Sequence, residues 1–131
     1  LMFASPHGSS RPASFRYRRD EIVRIARVAY AAVQALPSAA KRGEGPWDRI
    51  GDGARDCWVA MVRARIDAPN GTLDLEHAAF RASMEMAGWR YGAQFEPERM
   101  RHPYLSDWDE LPTEAEDEYA VLTAIVLEMM E

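Results

Sequence analysis

The sequence predicts a mainly α-helical domain: four helices around one core, with a short β or irregular segment before the last helix. Two observations predict this fold class. Apolar residues recur every three or four positions in four separate segments. A chain of 131 residues is also long enough to bury one core and too short to divide comfortably into two domains. Its hydrophobic content of 47% and charged content of 28% are ordinary for a globular protein.

An N-terminal arm over residues 1–18 is predicted to be flexible and basic, ahead of a single domain at residues 19–131. Proline, glycine and serine are frequent in the arm, which disfavours a regular helix or strand. Four arginines and no acidic residue lie within residues 1–19, although the whole chain has a net charge of −5. These arginines suit an anionic partner, but a weakly ordered tail is the simpler interpretation.

The four helical segments are bounded by residues that end or begin helices. The first helix is expected from about residue 19 to residue 36, because Pro37 cannot continue it. The second and third are expected at about 53–68 and 73–87, separated by a Pro-Asn-Gly turn. The last is expected to begin near Pro112 and to run to the end of the apolar pattern.

Particular residues are given places on these helices. Arg65 is expected away from the apolar face of the second helix. His77 falls on the apolar stripe of the third, which favours a hydrogen-bonded core histidine over a ligand contact. Gly88 stands where a helix end needs a residue that tolerates positive φ. Thr113 and Glu116 have the spacing of a capping box at the start of the last helix.

Residues 88–111, which we call the aromatic stretch, are the part of the chain that most clearly indicates function. Neither a helical nor a strand period persists there, so turns and short extended pieces are expected between two helices. Five aromatic residues lie among three arginines and a histidine: Trp89, Tyr91, Phe95, Tyr104 and Trp108, with Arg90, Arg99, Arg101 and His102.

Aromatic and arginine side chains together suit a nucleotide-like ligand, because rings stack on a base and guanidinium groups bind phosphates. The predicted ligand-binding residues are Trp47, Trp89, Arg90, Tyr91, Arg99, Arg101, His102, Tyr104 and Trp108. Three alternatives stay open. The rings are also suited to an aromatic cage for a cation, to a protein interface, or to packing alone. His102, held extended by Pro103, is equally suited to hydrogen-bonding its own loop.

Signatures of catalysis are absent from the sequence. There is no glycine-rich phosphate loop, nucleophile elbow or His-Glu-x-x-His helix. The three histidines and Cys57 are far apart in sequence, with no metal-ligand spacing. Cys57 is expected to be a buried thiol beside Trp58 rather than a nucleophile. We therefore expect no enzyme activity, no catalytic residue, no metal site and no cofactor.

The expected compartment is the cytoplasm. A single cysteine excludes an intrachain disulfide, and neither a membrane span nor a signal peptide is recognisable. The acidic body argues against binding to a nucleic acid polymer. No membrane partner is expected.

Three blocks of the chain match a family pattern. Residues 88–92 read Gly-Trp-Arg-Tyr-Gly, residues 102–105 read His-Pro-Tyr-Leu, and residues 108–111 run from tryptophan to leucine. With these blocks the chain resembles the ryanodine receptor repeat (RyR) domain, in its stand-alone bacterial or phage form. The resemblance covers about residues 20–126. Two departures are Trp108, where the family has tyrosine, and Glu118-Tyr119, where it often has lysine-aspartate.

The resemblance implies a mostly helical repeat with short β segments. In animal calcium-release channels such repeats occur in tandem, and a paired unit looks able to bind adenine nucleotides. Stand-alone members are connected with sensing nucleotide-derived signals. For this chain the resemblance implies a signalling domain that binds a nucleotide-derived small molecule. It also implies a homodimer, because the family is often paired and this chain holds one repeat.

Overall fold

A computed structural model describes residues 11–130 of the chain. Four long helices and one single-turn helix confirm the mainly α-helical fold class. They are α1 (Arg19–Gln34), α2 (Pro37–Ala40), α3 (Asp52–Asp67), α4 (Asp74–Met86) and α5 (Thr113–Met129). Two short strands, β1 (Arg90–Tyr91) and β2 (Arg101–His102), lie between α4 and α5, where the sequence predicts β or irregular structure.

The core is formed where α1, α3 and α5 meet. Each helix contributes the apolar stripe that its spacing predicts. The fully buried members are Ile22, Ala26, Ala29 and Val33 from α1, Val62 and Ile66 from α3, and Leu122 and Val126 from α5. The end of α1 lies near the start of α5, because Ser38 hydrogen-bonds to Glu118. Arg24, near the start of α1, lies beside Met129 at the end of α5. The two helices are therefore antiparallel.

A buried ion pair joins α3 to α4, and it corrects the expected position of Arg65. The side chains of Arg65 and Glu76 are 1% and 0% exposed. Two charge-assisted hydrogen bonds of 2.6 and 2.7 Å connect them. The guanidinium also donates to the carbonyls of Gly71 and Thr72, at 2.6 and 2.9 Å. Arg65 thus fixes the turn between the helices, whereas the sequence placed it away from the core face.

Two of the helix ends differ from the prediction, and one agrees with it. The sequence predicts a loop from Pro37 to residue 52. Pro37 is instead the first residue of α2, because its fixed φ suits the first turn of a helix. Thr113 is the first residue of α5, and Pro112 takes the N-cap position with no side-chain cap. The predicted capping box of Thr113 and Glu116 is therefore wrong. Gly88 follows α4 with a φ of +100°, as the sequence predicts.

Part of the predicted N-terminal arm is attached to the domain. Residues Ala13–Arg16 form a 3₁₀ turn. The backbone N–H and the hydroxyl of Ser14 both donate to the Asp67 carboxylate, at 2.6 and 3.2 Å. This contact differs from the flexible arm expected over residues 1–18. The first ten residues of that arm lie outside the described part of the chain.

Candidate functional site

The two short strands hold the aromatic stretch in a compact loop. Strand β1 pairs in parallel with β2, placing Arg90 opposite Arg101 and Tyr91 opposite His102. The next residue, Gly92, lies so close to Arg101 that an added Cβ would stand 2.7 Å from the Cβ of Arg101. Only glycine fits this approach without a shift of the backbone. Close packing against Arg101 thus explains the second glycine of the Gly-Trp-Arg-Tyr-Gly block.

Four aromatic rings surround the imidazole of His102, and we call this group the His102 cluster. Their centroids lie 5.0 to 6.4 Å from the imidazole; the rings are those of Phe80, Trp89, Phe95 and Tyr104. The backbone N–H of Tyr104 donates to His102 Nδ1 at 3.0 Å. Burial, the charge of Arg42 and the nearby His77 lower the pKa of His102 to about 3. The imidazole is therefore neutral at physiological pH, with its proton on Nε2.

His77 and Cys57 have the structural roles that the sequence favours. The His77 Nε2–H donates to the Ser106 carbonyl at 2.7 Å, and Nδ1 accepts from the Tyr119 hydroxyl at 2.8 Å. Burial lowers the pKa of His77, which keeps this tautomer neutral. Cys57 is buried, and burial raises the pKa of its thiol to about 12. Both groups belong to the interior of the domain.

A polar network lies beside the His102 cluster and is centred on Glu118. The carboxylate accepts hydrogen bonds from Ser38 at 2.8 Å and from Tyr104 at 2.7 Å. It also accepts two from Arg42, at 3.0 and 2.6 Å. The Arg42 guanidinium lies 5.0 Å from the Tyr104 ring centroid and makes a further ion pair with Glu44 at 3.2 Å. This network fastens the loop after α2 to the start of α5.

A groove of about 860 Å³ opens directly beside this network. Residues from the end of α1, α2, the aromatic stretch and the start of α5 form its walls. They include Leu36, Pro37, Ser38, Lys41, Arg42, Gln94, Phe95, Tyr104, Pro112, Glu114 and Asp117. This volume is within the range of small-molecule sites. The lining therefore combines the cationic side chains of Lys41 and Arg42, the carboxylates of Glu114 and Asp117, and the rings of Phe95 and Tyr104.

Two smaller spaces adjoin the groove. A neighbouring groove of about 640 Å³ shares Ala93, Pro103 and Pro112 with it and is also lined by Tyr91. An internal cavity of about 40 Å³ lies behind it and is lined by His102 and Tyr119. Arg42 and Tyr104 line both the main groove and the internal cavity. These two side chains therefore separate the groove from the interior.

The predicted ligand-binding residues are divided between several places. Tyr104 lines the main groove and Tyr91 the neighbouring one. Trp89 lies behind the groove, because its ring stacks on Phe95 at 6.0 Å with an interplanar angle of 12°. His102 lies behind Tyr104, in the cluster described above. Four of the six predicted ring-bearing residues therefore lie in or beside this region.

Two predicted tryptophans pack elsewhere on the domain. Trp47 contacts the ring of Tyr30 edge-on, with centroids 5.8 Å apart. Trp108 lies 5.8 Å from His77 and 5.9 Å from Tyr119. Both are partly buried against the core. Their contacts match the packing alternative that the sequence leaves open.

The three predicted arginines bind their own segment of the chain. Arg90 donates to the carbonyls of Glu85 and Trp89, at 3.2 and 2.7 Å. Arg101 donates to the Arg99 carbonyl at 3.0 Å, and Arg99 forms a 3.7 Å ion pair with Glu96. None of the three arginines lines the main groove. Its cationic side chains are instead those of Lys41 and Arg42.

The sequence pattern does not indicate Lys41, Arg42 or Ser38 as site residues, and it marks Glu118 only as a departure from the family pattern. Lys41 and Arg42 stand next to each other after α2, a segment that the sequence treats as a loop. Glu118 stands among other acidic residues at the start of α5 and was interpreted as part of a solvated helix end. The one sequence feature that distinguishes Glu118 is its position directly before Tyr119, which lies on the apolar stripe of that helix.

Comparisons with known proteins give no independent assignment. No family model, curated protein or solved structure matches this chain. The resemblance to the ryanodine receptor repeat therefore stays a prediction from its motif residues. Within residues 11–130, none of the helices is long and apolar enough to cross a membrane. In the same part of the chain, no group of three or more His, Cys, Asp or Glu side chains is placed to hold a metal ion.

Proposed function

We propose that this chain is a non-catalytic domain that binds a nucleotide-like small molecule in the main groove. The observation that carries the proposal is the lining of that groove. Aromatic rings, cationic side chains and carboxylates together line one space of about 860 Å³. The resemblance to the ryanodine receptor repeat supports the same ligand class.

Phe95 is the residue on which a base would stack. Its ring is half-buried and is held from behind by the stacked indole of Trp89. A ring fixed in this way loses little conformational freedom when a ligand binds. Stacking of one base on an aromatic side chain contributes roughly 1–3 kcal/mol. Trp89, which the sequence selects as a stacking residue, acts in this proposal through Phe95.

Lys41 is the residue that would bind a phosphate. It is exposed and has no ion-pair partner among the described residues. Arg42 is less suited to that role, because its donors are already directed at Glu118 and Glu44. Its function is to hold the wall in place. A phosphate would be attracted to the Lys41 ammonium, and its binding there would not break a buried ion pair.

The carboxylates that line the groove limit the charge of the ligand. Glu114 and Asp117 are exposed and line the same groove as Lys41. Carboxylates accept hydrogen bonds from the hydroxyl groups of a ribose, but they repel additional phosphates. We therefore expect a nucleoside monophosphate, or a similar ligand of low charge, to bind more tightly than the corresponding triphosphate.

Protection of Lys41 from an amine-reactive reagent tests the proposal directly, because the chain contains a single lysine. The rate of acetylation of the Lys41 peptide is measured by mass spectrometry with and without nucleoside mono- and triphosphates. Slower acetylation with a monophosphate, together with a higher melting temperature, is expected. Equal rates with every nucleotide, ADP-ribose and cyclic dinucleotide would refute the proposal.

A matched pair of variants separates binding from folding. Phe95→Ala is expected to abolish the protection of Lys41 and the shift in melting temperature. Arg49→Ala changes an exposed residue outside the groove and is expected to leave both unchanged. Unaltered protection in a folded Phe95→Ala protein would exclude the base-stacking role.

The alternative function is a protein-interaction module, and one observation favours it. Met86 and Tyr91, at the edges of the aromatic stretch, are 91% and 57% exposed. Exposed apolar side chains are suited to a partner surface. This function predicts an association that persists at high salt and that Met86→Ser with Tyr91→Ser weakens. An unchanged sedimentation coefficient in that double variant would exclude it.

A further inference from the structure

The outer face of α1 carries a group of arginines that the proposed ligand site does not use. Arg19, Arg24 and Arg27 line a shallow groove of about 670 Å³ along the helix, together with Val23, Val28 and Asp20. The Asp20 carboxylate is paired with Arg18. Arg16 stands just before the helix and is also exposed. Among the described residues, Arg16, Arg24 and Arg27 have no carboxylate partner. We call this surface the basic face.

The opposite charge is concentrated in the 3₁₀ turn before α5 and in the first two turns of that helix. Five exposed carboxylates lie there: Asp109, Glu110, Glu114, Glu116 and Asp117. None of the five has a cationic partner within the described part of the chain. We call this surface the acidic end.

The two surfaces lie at opposite ends of the molecule. Because α1 and α5 are antiparallel, the start of α1 lies beside Met129 at the end of α5. The acidic end lies beside α2, which follows the end of α1. The basic face reaches Val28, so six further residues of α1, about 9 Å of helix, lie between it and the end of that helix. Among the described residues no ion pair joins the two surfaces, and Arg19 pairs with Asp56 instead.

We propose that a second copy of this chain binds with its acidic end on the basic face of the first. The two surfaces are complementary in charge, and both carry side chains whose charges have no partner in the single chain. Val23 and Val28 supply apolar area at the centre of the basic face. Complementary charge orients and accelerates the encounter.

Such a contact joins different surfaces on the two copies. Each added copy leaves one basic face and one acidic end free, so the association continues into an open chain or a ring. The closed dimer that the resemblance implies would instead pair one surface with itself. The proposal therefore differs from that prediction in its geometry. It shares Glu114 and Asp117 with the main groove, and its test needs no nucleotide.

Sedimentation velocity of the full chain at two ionic strengths tests the proposal. We expect the sedimentation coefficient to rise with protein concentration at about 0.01 M salt and much less at about 0.15 M salt, where charges are screened beyond about 8 Å. Arg24→Glu with Arg27→Glu cancels the positive charge of the basic face, and Asp109→Lys with Glu116→Lys removes most of the negative charge of the acidic end. Each double variant alone is expected to stay monomeric, and an equimolar mixture is expected to regain association.

A control variant removes the effect of net charge. Arg49→Glu with Arg99→Glu lowers the net charge as much as the variant of the basic face does. Both residues are exposed and lie outside the two surfaces. This control is expected to associate like the unmodified chain. The proposal is overturned if the unmodified chain stays monomeric at low salt, if either charge-reversed variant still associates alone, or if the mixture does not.

Discussion

Two arginine–glutamate pairs hold this domain together, and they lie in different surroundings. Arg65 and Glu76 join α3 to α4, with side chains 1% and 0% exposed. Arg42 and Glu118 join the segment after α2 to α5, with side chains 10% and 7% exposed. The first pair is enclosed by backbone carbonyls and Thr123. The second forms a wall between the main groove and the internal cavity.

This difference separates a structural role from one that also serves a site. Around Arg65 the guanidinium hydrogen atoms are used by the chain itself, and the pair has no route to a ligand. Around Arg42 the same type of pair faces an open groove, so a change there alters a surface as well as the stability. A buried ion pair does not by itself indicate a functional site; an open groove beside the pair does.

The largest effect is expected from breaking the fully buried pair. Arg65→Met leaves the Glu76 carboxylate buried without its cation and frees the carbonyls of the α3–α4 turn. The loss in free energy of unfolding is expected to be about 3–5 kcal/mol, measured by urea denaturation. Arg63→Met, on the same helix and without an ion pair in the structure, is the matched control and should change stability much less.

The double variant Arg65→Met with Glu76→Leu sharpens the first prediction. Removing both charges removes the desolvation penalty that the single variant leaves behind. The double variant is therefore expected to be more stable than Arg65→Met alone. A double variant that is less stable would show that the remaining contacts of Glu76, such as the hydrogen bond from Thr123, outweigh the cost of its unpaired charge.

A smaller effect is expected from Arg42→Met. Glu118 keeps its bonds to Ser38 and Tyr104, and nearby solvent reaches it more easily than it reaches Glu76. We expect a loss of about 1.5–3 kcal/mol, the range for hydrogen bonds to charged groups, together with loss of the nucleotide protection of Lys41. Arg65→Met, measured below its own melting temperature, should retain that protection. If Arg42→Met and Arg65→Met lose the nucleotide protection of Lys41 equally, the proposed difference between the two ion pairs is wrong.

The sequence predicts the helices of the fold more accurately than it predicts where the charged side chains lie. Apolar spacing is sufficient for four helices, because burial of a stripe determines which face of each helix turns inward. The same pattern places Arg65 outside the core, since a charged residue is assigned to solvent by default. Its burial depends on Glu76 and on the carbonyls of the turn, which are partners that only the folded chain brings together.

The candidate site was located only in part. The aromatic stretch does border the main groove, through Phe95 and Tyr104. The cations of that groove come from Lys41 and Arg42, about fifty residues earlier in the chain. No local motif connects these two segments. Their proximity follows from the antiparallel packing of α1 and α5, which brings α2 beside the start of α5.

Acidification is expected to lower the free energy of unfolding through His102, whose pKa is lowered by burial and in part by the charge of Arg42. The folded pKa of His102 is lowered to about 3, whereas an unfolded histidine titrates near 6.5. Between these values the unfolded chain binds a proton that the folded chain does not. Stability therefore falls as the pH falls from about 6.5 towards 3, with a slope of up to about 1.4 kcal/mol per pH unit from this residue.

His102→Asn is the variant that isolates this contribution. An asparagine oxygen is able to accept the Tyr104 N–H in place of Nδ1, and it does not titrate. Unfolding free energies of the two proteins are compared from pH 7 to pH 4. A shallower slope in the variant is expected, although His77, whose pKa is also lowered, keeps part of the dependence. Identical slopes would exclude His102 as the source.

The smallest effect is expected from a third pair, which extends the comparison to full solvent exposure. Arg19 and Asp56 lie 3.3 Å apart, with side chains 64% and 66% exposed. Asp56→Asn is expected to change the free energy of unfolding by at most about 0.5 kcal/mol, because water solvates both groups in either state. Urea denaturation at two salt concentrations measures this change. Together with Arg65 and Arg42 it gives a series in which burial increases while the chemistry of the pair stays the same. If Asp56→Asn lowers the free energy of unfolding as much as Arg42→Met does, desolvation does not determine the order of these losses. The pairs at Arg65 and Arg42 would then have to be distinguished by their hydrogen bonds alone.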